Sequence, residues 1–577
     1  MSTTVSPRPP RIRAVAETSP ASAELAELLG STSVRIAWAD RGLQFERLLQ
    51  GAKNAPASLL WSLPEVSDLK ERTKFLGSFY GTVTAAKTKQ IHAQLAEWLQ
   101  QPFGNERFAW ETLAWQRALL STMLSLAAKL TLIDRLATIV EEAAALVPCD
   151  DPLRFQWLAV ELPWLLGSYC REVPAYGEMV RIAQRNLVRF CEECFDDEGI
   201  PWGRHLPYLP AIMASWTRCT AAGKVCGEPF IAKHQQALSH AVLRQTLRFT
   251  RGDGTGAFTT SAPSLAPWID LAVALADDQE SQLLAKGLLE SSKKKPSAGP
   301  LVSACSPEGK VAVLRAELSP SAPQLNVAFD GDDVRLELLR NTKLLAGNWK
   351  CELRVNGRQL EQSHEWEDVL WHFDEDAVYL ELETRFENNW RVQRQIVLPR
   401  QDPYIFLADA VLGTEAAELS YGSTYPLAEN VSFVAESQTR EGWLTQGKNR
   451  WLTLPLAAPE WRSERSHYEL QAAANGMCYS AARNGRSLYL PLFIMLNPAK
   501  GKLEYTWRRL TVGEQLEIQS PDVAVAHRVQ VGDLQWISYR ALSHRGNRTF
   551  LGKNIATEFY LGRFQRDGSV ATIMEVE

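Results

Sequence analysis

Close to residue 295 the chain exchanges one hydrophobic period for another, and that exchange limits the folds open to it. Upstream, apolar residues recur every three or four positions, as over 110–136 and 179–190, a spacing that predicts helices. Downstream, short alternating runs at 334–338, 377–382 and 404–411 predict strands. Between them lies Ser291-Ser-Lys-Lys-Lys-Pro-Ser-Ala-Gly-Pro300. Proline there lacks the N–H a helix needs, so this stretch reads as a linker. At 577 residues the chain is too long for one core. The expected organisation is a disordered arm over 1–19, a helical domain over 20–290, the linker 291–300 and an all-β domain over 301–577.

Within the helical half, paired helices are expected over 108–130 with 132–146, and over 151–169 with 176–195. Two loops resemble one another: Asp196-Asp-Glu-Gly-Ile-Pro-Trp-Gly203 and Gly252-Asp-Gly-Thr-Gly-Ala-Phe258. Asp197 and Asp253 are 56 residues apart, room for one helical hairpin and its turn. Asp and Gly together are turn chemistry, because Gly accepts positive φ and Asp bonds its own backbone. Helices are expected after each loop, over 205–222 and 262–276. Hairpins repeated in this way pack edge to edge into an incomplete (α/α) toroid. After residue 301, strand candidates recur about every ten residues with turns such as Val355-Asn-Gly357 between them, the pattern of a large antiparallel β-sandwich. The fold class expected is α+β multidomain.

Composition removes several functions. The formal net charge is −5 and no Lys/Arg stripe occurs, which argues against nucleic acid as a partner. No apolar run approaches the length of a membrane span, and the N-terminus lacks the apolar core of a secretory signal, so a cytoplasmic, membrane-free protein is expected. The nine cysteines are odd in number and scattered, pointing to free thiols. Cys191-Glu-Glu-Cys194 has no second ligand pair at zinc spacing, so neither a metal site nor a cofactor is expected. Tryptophan is in excess at 19 residues, and flat apolar rings suit stacking on sugars.

Several segments together resemble one family. Val311-Ala-Val-Leu-Arg315, Val334-Arg-Leu-Glu-Leu338 with Lys343-Leu-Leu-Ala-Gly-Asn-Trp349, and the hairpin 391–409 ending in Tyr404-Ile-Phe-Leu-Ala-Asp409 look like consecutive sandwich strands of the heparinase II/III-like polysaccharide lyases. Residues 196–208 stand where that family carries an Asp-Gly loop followed by catalytic residues and a Tyr. The resemblance spans about residues 100–575 and implies a toroid joined to a sandwich, with an acidic poly- or oligosaccharide bound in the cleft where they meet. One departure stands out. Where the family has His-x-His-x-Asp, this chain has Ala328-Phe-Asp-Gly-Asp332, so both histidines are absent and Asp332 alone remains.

Elimination at a uronic acid requires a cation on the carboxylate, a base for the α-proton and an acid for the leaving oxygen. Arg204, His205 and Tyr208 supply those types within five residues, and on a helix start 204 and 208 would share a face. A second cluster, Ser363-His-Glu-Trp-Glu-Asp-Val-Leu-Trp-His372, offers His364 as a base and Trp366 as a sugar platform. Trp202, Trp349 and Asp197 complete the expected substrate-binding set. Three readings remain open at this point: a lyase, a glycan-binding protein without turnover, and a glycoside hydrolase using paired carboxylates near 196–198. Sequence leaves the oligomeric state undetermined.

Overall fold

The computed structural model describes residues 27, 31–50, 57–61, 63, 69–79, 84–119, 124–259, 267–289, 302–474 and 476–577. The arm 1–19 and the linker 291–300 lie outside the described residues. The chain forms two compact units. The first comprises residues 1–194, 211–237 and 266–275; the second comprises 195–210, 238–265 and 276–577.

The first unit is helical. Its elements are α1 (Thr32–Gln50), α2 (Leu69–Phe79), α3 (Ala85–Trp98), α4 (Glu106–Ala118), α5 (Leu126–Ala143), α6 (residues 152–169), α7 (Pro174–Cys194) and most of α8 (Leu209–Cys226). The single helix expected over 108–130 is two. Asn105 caps α4, taking the Phe108 N–H at 3.2 Å, and Ser125 starts α5 by accepting from the Ala128 N–H at 3.3 Å. Residues 156–161 of α6 form a π-helical turn. Glu161 at its end is fully buried, pairs with Arg218 at 2.6 Å and accepts from the Ser215 hydroxyl at 2.6 Å. A carboxylate with no water is tolerable only when saturated in this way. Cys191 and Cys194 are buried free thiols of α7, and burial pushes Cys191 up to about 12. No described helix is long and apolar enough to cross a membrane.

The second unit is dominated by antiparallel sheets of 15, five and four strands. Its first strands are β1 (Ala304–Ser306), β2 (Val311–Arg315), β3 (Gln324–Ala328), β4 (Val334–Arg340) and β5 (Thr342–Val355), neighbours in that order. The Asn356-Gly357 turn closes β5 with both residues at positive φ, 51° and 77°, as its sequence predicts. Alternation in β2–β4 sends Ala312, Leu314, Leu325, Val327, Val334, Leu336 and Leu338 into one apolar core shared with the strands 377–385, 391–399, 404–426 and 476–495. A second core, including Tyr379, Phe406, Tyr489, Phe493, Val529 and Trp536, joins the large sheet to the five-stranded one, which makes the sandwich. The segments 195–210 and 238–265, which include most of α9 (Gln236–Phe249), belong to this unit with the strands.

Candidate functional site

The same alternation that buries Leu336 and Leu338 turns Arg335 and Glu337 to the other face of β4, beside Asn326 and Ala328 of β3. That face is polar, and Asn326, Ala328 and Glu337 on it are closed from water while Arg335 is half-buried. Glu337, 1% exposed, accepts from the Arg251 guanidinium (Nε at 3.1 Å), from Asn326 Nδ2 at 3.1 Å and from the Phe258 N–H at 3.2 Å, and pairs with Lys343 at 3.1 Å. Arg315 donates to the carbonyls of Arg248 and Thr250 and to Gln324. Burial lowers its pKa to about 9. The strands thus grip the segment 248–259 through charge-assisted hydrogen bonds.

The two Asp-Gly loops share one backbone pattern. Asp196 N–H donates to the Ile200 carbonyl and Gly199 N–H to Asp196; Arg251 N–H donates to Thr255 and Gly254 N–H to Arg251. Gly199 and Gly254 hold the positive φ values, 76° and 82°. Structural equivalence therefore runs from Asp196 to Arg251, 55 residues apart, because the backbone turn and not the position of an Asp sets it. Asp196 spends its Oδ1 on the N–H groups of Glu198 and Ile200, and Asp253 spends its own on Thr255. Asp197 is exposed at the loop tip.

Arg335 ties these loops together. Its Nη2 donates to the Gly203 carbonyl at 2.9 Å, and its guanidinium lies 4.3 Å from the centre of the Phe258 ring. Burial lowers the Arg335 pKa, with Asp330 and Glu337 acting in the opposite sense. Gly203 also donates to the Gly309 carbonyl at 2.8 Å, and a β-carbon on it would stand 3.0 Å from Asp330 Cγ and 3.1 Å from Ala328 Cβ. The loop that carries Arg204 and His205 therefore packs against the stretch 328–330.

Residues 203–208 form a 3-10 turn, with Pro207 inside it, before α8 begins. That corrects the expected geometry. With three residues per turn, His205 and Tyr208 eclipse one another, whereas Arg204 and Tyr208 do not share a face. His205 is 3% exposed, Tyr208 and Trp202 are half-buried, and Arg204 is exposed. Arg204 Nε lies 3.3 Å from His205 Nε2. Arginine only donates, so Nε2 is the accepting nitrogen in this contact.

The second cluster divides. His364 is exposed, with its Nδ1 3.0 Å from the Ser363 hydroxyl, and no hydrogen bond or ion pair joins it to residues 204–208 among the described residues. Trp366 and Trp349, expected as sugar-binding surfaces, are fully buried. Their rings lie 4.4 and 4.2 Å from the Arg394 guanidinium, which also donates to Asp409 at 3.1 Å and to the Trp349 carbonyl at 2.6 Å. Burial disfavours that charge, yet Asp409 outweighs it and the Arg394 pKa is raised. A ring covered by protein offers nothing to a sugar, so both tryptophans are core. No group of three His, Cys, Asp or Glu side chains at metal-binding distance occurs among the described residues. Sequence reasoning passed over Arg335, Glu337, Lys343 and Arg251. The available signal was a charge at alternate positions of Val334-Arg-Leu-Glu-Leu338, a strand whose other face is wholly apolar.

No family model matches the chain, and no curated protein matches it. Solved structures do. The heparan sulfate lyase HepC from Pedobacter heparinus is 11% identical, with 92% of this chain and 90% of that one covered at a TM-score of 0.54. A heparinase III gene product is 13% identical, covering 91% and 90% at 0.53, and another heparinase III is 10% identical, covering 82% and 79% at 0.52. At such identities the likeness speaks for the fold. The chain has the heparinase III fold, an N-terminal helical region of (α/α) toroid type followed by a large antiparallel β-sandwich.

Proposed function

We propose that the protein is a polysaccharide lyase that cleaves an acidic, uronic-acid-containing poly- or oligosaccharide by β-elimination. One observation carries the reading: a buried histidine and a tyrosine share one face of the 203–208 turn, with the guanidinium of Arg204 beside the ring and that of Arg335 on the backbone of the same loop. Arg204 neutralises the sugar carboxylate, which acidifies the proton on the neighbouring carbon. His205 or Tyr208 removes that proton, the electrons form the new C–C double bond, and the glycosidic C–O bond breaks as the leaving oxygen takes a proton from the other residue. The fold shared with heparan sulfate lyases supports a carbohydrate substrate.

Incubation with uronic-acid glycans, read at the ultraviolet absorbance of the unsaturated product, tests this. Tyr208→Phe combined with His205→Ala should abolish the signal; an active double variant ends the proposal. A second reading, a glycan-binding protein without turnover, is favoured by Ala328 and Asp330 at the places of the family's histidines. It predicts binding with no absorbance change. The hydrolase reading loses support because Asp196 is committed to its own turn.

A further inference from the structure

Four cations meet at the polar face of β2–β5, Arg251 coming from the loop that packs on it, and three of them are spent on the protein. Arg251 is held by Glu337, Thr255 and Thr259; Arg315 by three internal acceptors; Lys343 by Glu337 and the Thr259 carbonyl at 3.0 Å. Arg335 differs. It is half-buried and makes a single hydrogen bond through Nη2; its Nε is buried without a partner, and its Nη1 has no hydrogen-bond or ion-pair partner among the described residues. Its charge is also the one on that face that touches both loops at once, through the Gly203 carbonyl and the Phe258 ring.

Phe258 supplies a second, independent observation. It holds φ at +58°, a conformation that bulky side chains avoid, in a loop that already uses glycine at 252, 254 and 256. A glycine at 258 would meet the same backbone requirement without strain. The strain is held in place by the Phe258 N–H on buried Glu337, and the ring is spent on the face of Arg335. A stacked guanidinium is fixed in direction while its unpartnered Nη1 stays free to donate to an anion.

We infer that Arg335 is the anchor for a carboxylate of the bound acidic sugar, and that Phe258 is the residue that positions it. The assignment rests on the proposed function for its ligand class and adds a recognition residue from β4, separate from Arg204 and outside the stretch 203–208. Arg335 sets affinity and the preference for acidic over neutral glycan; it takes no part in the proton transfers.

The test measures calorimetric binding of a sulfate-free uronate oligosaccharide and of its carboxyl-reduced counterpart to the full chain. Arg335→Gln keeps a donor for the Gly203 carbonyl while removing the charge. It should weaken binding of the acidic oligosaccharide by about tenfold or more, leave the neutral one unchanged and flatten the salt dependence. Phe258→Leu should reduce the same acidic preference, Phe258→Tyr should restore it, and the melting temperatures of these variants identify any that are merely unfolded. An unchanged preference in both Arg335→Gln and Arg335→Lys overturns the assignment while leaving the lyase reading intact. Tight, Arg335-dependent binding without unsaturated product does the reverse. A parent protein that binds no acidic glycan overturns both.

Discussion

Glu337 is the most heavily committed carboxylate on the polar face, so its removal can be worked through in energy. Glu337→Ala leaves Arg251, whose side chain is 4% exposed, without a carboxylate in a place water does not reach. Stranding one member of a buried pair costs about 3–5 kcal/mol. The Phe258 N–H and the Asn326 amide lose their acceptor as well, adding roughly 1 kcal/mol each. Members of one network do not add fully, which brings the total to about 4–6 kcal/mol. Arg251→Met should cost less, because Glu337 keeps Lys343 and Asn326. Glu337→Leu combined with Arg251→Met should be more stable than Glu337→Ala alone, since the one charge it leaves unpaired, Lys343, is partly exposed to water and not buried like Arg251. Urea unfolding followed by circular dichroism and tryptophan fluorescence measures all three. A double variant as unstable as the sum of its parts, or a Glu337→Ala midpoint equal to the parent's, would refute the view that this ion pair clamps the 248–259 segment to β4.

Gly203→Ala should cost about 1–3 kcal/mol and reduce any glycan activity, because its new methyl group must displace Asp330 or Ala328; a variant as stable and active as the parent would show that the loop is not tightly seated. Trp366→Ala should destabilise by about 3–5 kcal/mol while leaving glycan affinity of the folded fraction unchanged; a selective loss of affinity would return Trp366 to the binding surface. His527 is fully buried, and burial, aided by Arg509, lowers its pKa to about 3. The folded state therefore refuses a proton that the unfolded state accepts below about pH 6.5, so stability falls as pH drops from there toward 3, by up to about 1.4 kcal/mol per pH unit. His527→Met should be more resistant to mild acid, by about 2 kcal/mol near pH 5 relative to its value at pH 7, as read from urea midpoints at the two pH values; equal acid sensitivity would show that His527 is not the group responsible.

The periodic elements were the legible ones. Val311–Arg315 is a strand with the expected bounds, Val334–Arg340 extends its expected run by two residues, and the Asn356-Gly357 turn closes as its composition demands. Local chemistry governs such features, so neighbours in sequence suffice to read them. Two errors have physical causes of equal clarity. The turn at 203–208 is 3-10 and not α because Pro207 removes a donor where an α-helix is beginning, and this changes which of Arg204, His205 and Tyr208 face together. Trp349 and Trp366 were misassigned because residue type does not say which side of a strand or loop is covered: Trp349 is the buried position between exposed Asn348 and Lys350 of β5, and Arg394, from a strand distant in sequence, closes over both rings.

What the chain determined by itself was the succession of helical and alternating periods, the turn chemistry of its Asp-Gly loops and the residue types near position 205. Tertiary structure alone decided that two loops 55 residues apart would meet one strand, because β4 is neutral on which of its faces is wanted until something packs against the charged one. Arg335 and Glu337 acquire their partners only when segments distant in sequence bring a carbonyl, a ring and a guanidinium to them, and no local period encodes that meeting.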